Sequence, residues 1–238
     1  MTEHDPSIEP VLPVEPWQKP SSGDVEEPAP LGLVLLWCVW LLGSWVVSLW
    51  TDAAVQPAVR LMIFAAALGM LLLWPALRLS QALAQVRRRR ARPAIYAAVL
   101  WDWTCLCLVL QVVIWPLYFS ASWALSQAIW LDVVLLSWGL IVGLLIAVGL
   151  TLGTAAARLG AMLGCALLIF GEPAFIALTG RGGDRLHISP LHVLWDATGS
   201  HLKWHEAAWA PVILAATAAA IIGWLLVPLL LRRAQPTP

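Results

Sequence analysis

Residues Trp123–Leu150 read WALSQAIWLDVVLLSWGLIVGLLIAVGL, and these 28 residues contain one charged side chain, Asp132. A helix needs about 20 predominantly apolar residues to cross the hydrocarbon layer of a membrane. This stretch meets that requirement and therefore predicts a membrane-spanning helix. The whole chain of 238 residues is 61% hydrophobic and 12% charged, far from the composition of soluble proteins. We therefore expect an integral membrane protein.

Five further apolar runs of similar length accompany this one. We predict six spans: Leu31–Trp50, Pro57–Leu77, Ala94–Phe119, Trp123–Leu150, Gly153–Leu178 and Ala207–Leu231. The expected fold class is all-α, a polytopic membrane helical bundle with six transmembrane helices over residues 31–233. An outer loop is expected at residues 179–206 and a short tail at residues 234–238.

The first 30 residues differ from the rest of the chain. They carry seven acidic side chains against Lys19 alone, and seven prolines. Such a segment buries too little apolar surface to offset the entropy lost on ordering. We expect residues 1–30 to be a disordered, acidic, proline-rich cytoplasmic tail.

Basic residues predict the orientation, because positively charged loops tend to stay in the cytoplasm. One side collects nine basic residues, six of them in and around the link between spans two and three, and the other side collects four. We therefore expect both the N-terminus and the C-terminus in the cytoplasm of a multi-pass protein of the bacterial plasma (inner) membrane.

The arginine run of this link is expected to contact lipid headgroups or a partner. It consists of Arg87, Arg88, Arg89 and Arg90. Nucleic acid is not an expected partner, because a short loop between two spans offers no recognition element.

Polar side chains inside predicted spans are costly and therefore informative. Asp132 and Glu172 are expected near the outer face, where they can form a polar site beneath the outer loop. Asp102 is expected deeper toward the cytoplasm. Alternatively, each carboxyl is protonated or hydrogen-bonded between helices, or Asp102 meets an arginine such as Arg78. Gln111, in the middle of span three, is a candidate for an interhelical hydrogen bond or a substrate contact.

Glycines recur at a spacing that lets helices approach closely. The pairs are Gly139 and Gly143, Gly149 and Gly153, and Gly160 and Gly164. They predict tight packing between spans four and five.

Four of the five histidines fall in the outer loop: His187, His192, His201 and His205. Pro190 is a suitable first residue for a short helix with Ser189 as its cap, and this helix is expected to lie on or dip into the outer membrane surface. His201 and His205 are four residues apart, so on a helix both imidazoles share one face and are candidate ligands for copper, zinc or haem, with His187 and His192 as further candidate ligands. Interfacial, structural or pH-responsive roles are the alternatives.

No motif specifies a reaction. The chain has no phosphate-binding GxxxxGK[ST], no GxGxxG after a strand and no GxSxG elbow. We therefore predict no enzyme activity.

The order of elements resembles the membrane subunit, or permease, of ABC-2-type ABC exporters. The resemblance rests on six spans with both ends inside, a cytoplasmic link after span two, and the segment ISPLHVLWDA before the last span. It covers about Leu31–Arg233 and implies a transporter subunit whose energy comes from a separate ATPase that contacts the arginine link. The acidic tail and the short link depart from the family pattern. A metal- or haem-handling membrane protein and a non-catalytic scaffold subunit of a membrane complex are the alternatives.

Overall fold

The computed structural model describes residues 31–50, 55–80, 92–120, 123–180, 189–198 and 210–233. The predicted disordered tail at residues 1–30 and the short tail at residues 234–238 lie outside these ranges. Within them the chain is helical and contains no strand. This confirms the all-α class.

Eight α-helices are described, and we number them in chain order. They are α1 (Leu31–Trp50), α2 (Val55–Leu68), α3 (Trp74–Ser80), α4 (Arg92–Ser120), α5 (Leu125–Leu152), α6 (Ala155–Thr179), α7 (Pro190–Ala197) and α8 (Ala210–Arg233). A π-helical turn, Gly69–Leu73, joins α2 to α3 without a break.

Four of the helical stretches are long and apolar enough to cross a membrane. They are Pro57–Ser80, Ile95–Phe119, Leu125–Leu152 and Ala155–Thr179. Two apolar helical stretches are shorter over their fully described residues, Gly32–Ser48 and Ala210–Leu226. The described residues thus form a helical protein in which four stretches have the length and apolar content of a membrane span, and every predicted span coincides with a helix.

The boundary between the fourth and fifth predicted spans lies at Gly153. This residue adopts a left-handed conformation, with φ of 65°, which ends α5. Thr154 then caps α6, because its side chain accepts a hydrogen bond of 3.1 Å from the backbone N–H of Ala157. Gly153 therefore terminates α5.

Helix α5 lies at the centre of the bundle. It is apolar on all sides, and fourteen of its residues are buried, as expected for a helix surrounded by other helices. It packs against α4, α6, α7, α8 and α3. Any polar side chain on α5 therefore has to find its partner on a neighbouring helix.

Close approach to α5 depends on glycines, as predicted. A Cβ atom on Gly149 would lie 2.9 Å from the Cβ of Ala161 in α6, and one on Gly139 would lie 2.2 Å from the Cε of Met70. Gly164 lies opposite Leu145, whereas the space beside Gly160 is open. The prediction of tight packing between spans four and five is confirmed, but Gly160 takes no part in it.

The π-helical turn was not predicted, since the sequence there reads as one continuous span. It lies against α1, where a Cβ on Gly69 would be 2.2 Å from the Trp37 ring. The Trp40 indole N–H donates a 2.8 Å hydrogen bond to the Ala65 carbonyl one turn earlier. Single π-helical turns of this kind are rare within α-helices and are frequent at functional sites.

Candidate functional site

The side chain of Glu172, in α6, is 9% exposed and faces the first residues of α7. Its Oε2 atom accepts a 2.5 Å hydrogen bond from the backbone N–H of Ser189, and its Oε1 atom lies 2.9 Å from Nδ1 of His192. The N-terminus of a helix has unsatisfied N–H groups and a partial positive charge, both of which stabilise a carboxylate. Glu172 therefore binds the beginning of α7.

His192 is placed between two carboxyl groups. Its Nε2 atom lies 3.8 Å from Oδ2 of Asp196, which follows it by four residues on α7. That distance is too long for a direct hydrogen bond but short enough for an ion pair when the imidazole is protonated. The side chains of His192 and Asp196 are about one third exposed, at 31% and 30%. His192 thus connects the buried carboxyl group of Glu172 to the partly exposed carboxyl group of Asp196.

The depth of α7 follows from its contacts at each end. At its start, the Ser189 hydroxyl donates a 2.7 Å hydrogen bond to the Ile169 carbonyl. Ile169 lies ten residues before Thr179, the last residue of α6, or about 15 Å along the helix axis. Ser189 therefore lies well inside the bundle and not at its end.

The other end of α7 lies level with the first turns of α2 and α5. Gln127 of α5 donates a 2.8 Å hydrogen bond to the Ala197 carbonyl, and Arg60 of α2 donates one of 3.3 Å to the Thr198 carbonyl. The Arg60 guanidinium also lies 4.9 Å from the centre of the Trp195 ring. Donors thus satisfy the carbonyl groups at the C-terminus of α7.

These contacts confirm the predicted helix, with Ser189 as its N-cap and Pro190 as its first residue. The Ser189 hydroxyl makes no cap hydrogen bond within the helix and bonds Ile169 instead. Val193, Leu194 and Ala197 are fully buried at 0% exposure. The helix dips into the bundle and does not rest on its surface.

A groove of 420 Å³ lies beside Glu172. It is lined by Ile141, Leu145, Gly164, Leu167, Leu168, Glu172 and Ser189. Its walls come from α5 and α6 and are apolar, and its polar groups come from Glu172 and the N-cap of α7. Sequence reasoning missed the groove, because its lining residues are ordinary span residues apart from Glu172.

Asp132 belongs to a different network. Its Oδ1 atom accepts a 2.6 Å hydrogen bond from the Gln111 side-chain amide, and Gln111 accepts one of 2.9 Å from the Trp115 indole N–H. The predicted interhelical role of Gln111 is therefore observed. Among the described residues, Asp132 and Glu172 have separate partners, on α4 and α7 respectively.

Asp102 forms a buried ion pair with Arg78 of α3. The two residues are 2% and 8% exposed. Arg158, near the start of α6, donates a 3.1 Å hydrogen bond to the adjacent Leu79 carbonyl. This arrangement is the alternative that the sequence left open for Asp102. It joins α3, α4 and α6 at the end of the bundle opposite to Arg60.

Most of the predicted metal ligands lie outside the described residues, namely His187, His201 and His205, as does the arginine run Arg87, Arg88, Arg89 and Arg90. Over the described ranges, no three His, Cys, Asp or Glu side chains come together as metal ligands. The two ring nitrogens of His192 face different carboxyl groups, those of Glu172 and Asp196, so these three side chains do not converge on one point. A copper, zinc or haem site in the outer loop stays a prediction.

Comparison of the chain with protein-family models, with curated proteins and with solved structures gives no match.

Proposed function

We propose that this chain is the membrane-embedded, permease-type subunit of a transporter that works with a separate energising subunit. In this proposal the bundle has six spans with both termini in the cytoplasm of a bacterial plasma membrane. The energising subunit is a cytoplasmic ATPase that contacts the arginine link at residues 87–90. The chain itself catalyses no reaction.

The observation that carries the proposal is the position of α7. This eight-residue helix begins inside the bundle at Ser189, about 15 Å from the end of α6. Helices that end within the membrane are tolerated where protein or a cavity satisfies their backbone. Transporters use the N-termini of such partial helices to bind anionic groups. At the N-terminus of α7 the anionic group is the Glu172 carboxylate, and the groove lies beside it.

The six-span arrangement is supported by the lengths of the two remaining apolar helices. Helices α1 and α8 contain 20 and 24 residues, enough to cross the hydrocarbon layer. An even number of spans returns the chain to the side on which it began. Arg78 and Arg158 lie at one end of the bundle and Arg60 at the other, in agreement with the charge bias of the loops.

The alternatives receive less support from the described contacts. A metal- or haem-handling role depends mainly on histidines outside the described ranges. A scaffold has no need of a buried carboxylate at the edge of a groove, and ionisable groups inside a membrane are costly and usually functional. A transporter subunit accounts for the carboxylate and for the groove.

The test is purification of the tagged full chain from membranes of its own host, followed by measurement of ATP hydrolysis in the purified complex. We expect wild-type material to hydrolyse ATP and the variant Arg87→Gln/Arg88→Gln/Arg89→Gln/Arg90→Gln to lose this activity. The matched control, Arg232→Gln/Arg233→Gln, removes charge from the other end of the chain and should retain it. A wild-type preparation without ATP hydrolysis contradicts the proposal.

A further inference from the structure

The described lining of the groove beside Glu172 contains one charged side chain, and most of its other residues are apolar. Ile141 and Leu145 contribute one wall from α5, and Leu167 and Leu168 contribute the other from α6. The volume of 420 Å³ is within the range of small-molecule sites. The polar groups stand at the α7 end of the groove, so the lining is divided into an apolar length and a polar end.

Gly164 keeps the groove open. A Cβ atom at this position would lie 3.6 Å from the Leu145 side chain, in ordinary contact, so a larger side chain here would extend into the groove. Gly160 lies one turn earlier on the same helix and has open space beside it. Side-chain volume added at Gly164 therefore fills the groove, whereas the same volume added at Gly160 does not.

The Glu172 carboxylate determines which charge on a ligand the groove favours. A carboxylate can accept about four hydrogen bonds, so an ammonium group can bind Glu172 in addition to the partners that this side chain already has, among them Ser189 and His192. A buried carboxylate is stabilised by a cation and destabilised by a second anion at the same place. The polar end of the groove therefore favours a cationic head over an anionic one.

We propose that this groove binds a single-chain amphiphilic amine, with its alkyl chain between α5 and α6 and its ammonium group at the Glu172 carboxylate. The alkyl chain contacts Ile141, Leu145 and Leu168. The proposal names a substrate class for the proposed function and rests on that function only in calling the ligand a substrate. Binding itself needs neither the ATPase nor transport.

The experiment uses the purified full chain in detergent and two photoreactive probes of equal chain length. One probe is an alkylamine and the other a fatty acid, and both carry a diazirine in the alkyl chain. Labelling is measured by mass spectrometry as a function of probe concentration, and the labelled peptides are identified. We expect the amine to label residues 141–145 and 164–168 at lower concentration than the acid.

Variants test separately how the groove binds the ammonium head and the alkyl chain of the probe. Glu172→Gln should abolish the preference for the amine and leave labelling by the acid. Gly164→Leu should reduce labelling by both probes, and its matched control, Gly160→Leu, should not. Leu168→Phe is a second groove-filling variant with Leu163→Phe, an exposed position on α6, as its control. Circular dichroism and size-exclusion chromatography establish that each variant is folded.

Equal labelling of the wild type by amine and acid would overturn the proposal, as would equal labelling of the Gly164→Leu and Gly160→Leu variants. Amine binding without ATP hydrolysis in the purified complex would leave the site intact and refute the transporter proposal. ATP hydrolysis by the purified complex without preferential labelling by the amine would refute only the amine site.

Discussion

His192 and Glu172 are 20 residues apart in the chain, and the His192 Nδ1 atom lies 2.9 Å from the Glu172 Oε1 atom. This contact joins α7 to α6 inside the bundle. Together with the hydrogen bond from the Ser189 N–H, it places a largely buried carboxylate at the N-terminus of a short helix. The position of α7 therefore depends on a few polar contacts and on the burial of its apolar face.

Loss of the Glu172 carboxylate should release the start of α7. In Glu172→Ala the Ser189 N–H loses its partner inside the bundle, at a cost of about 1–3 kcal/mol. Val193 is fully buried in wild type, so a Val193→Cys reporter should react slowly with a maleimide. We expect Glu172→Ala to accelerate that reaction, measured on the peptide that contains the reporter. Phe175→Ala, at an exposed position on α6, should leave the rate unchanged, and an unchanged rate in Glu172→Ala would contradict the role assigned to this carboxylate.

The ion pair between Arg78 and Asp102 should matter more when one partner is removed than when both are replaced. Asp102→Ala leaves a buried guanidinium, which we expect to lower the free energy of unfolding by about 3–5 kcal/mol. Replacement of both residues, as Arg78→Met/Asp102→Leu, should recover most of that loss. Thermal unfolding in detergent measures the series, with Trp101→Ala on the exposed side of α4 as the control. A double variant as unstable as Asp102→Ala would refute this explanation.

Gly69→Ala should destabilise the contact between α1 and the π-helical turn. The added methyl group would overlap the Trp37 ring, which is rigid and buried, so α1 has to move at a cost of about 1–3 kcal/mol. Gly139→Ala should be milder, because the atom in its way is the end of the flexible Met70 side chain. Gly43→Ala, with open space beside it, serves as the control. The order of thermal stability among these three variants tests the prediction.

The two carboxylate networks should be energetically independent. Asp132→Leu removes the acceptor of the Gln111 amide and should cost about 1–3 kcal/mol, whereas Asp132→Asn retains an acceptor and should cost less. Since the described contacts of Asp132 and Glu172 go to different partners, the effects of Asp132→Leu and Glu172→Gln should add to within about 0.5 kcal/mol in a double-mutant cycle. A larger interaction energy would show that the two carboxyl groups act as one site.

The spans were predictable because their signal is local. Length and apolar content are properties of a continuous segment, and each predicted span coincides with a helix whose described ends differ by a few residues. The short helix after Ser189 was predictable for the same reason, since Ser-Pro is a local start signal. The irregularity at Gly69 was not, because it depends on the rings of Trp37 and Trp40 in another helix.

The site was predictable only as a set of separate residues. Sequence singled out Glu172 because it is an acid in a span, and His192 because it lies in a histidine-rich loop. Nothing in the sequence paired them, because the pairing depends on how far α7 enters the bundle. Gln127 and Arg60, which bind the end of α7, were missed as site residues for that reason. In the sequence analysis Arg60 was counted only as one of the four basic residues on the outer side of the membrane.

The entry of α7 into the bundle also determines an order of assembly. Eight residues are too few to be inserted as a span of their own, and the surfaces that receive α7 belong to three helices, α2, α5 and α6, of which α2 is distant in sequence. Those surfaces exist only after the three helices have come together. Docking of α7 is consequently a late event in the biogenesis of the protein, and it completes the polar end of the groove only in a bundle that has already been assembled correctly.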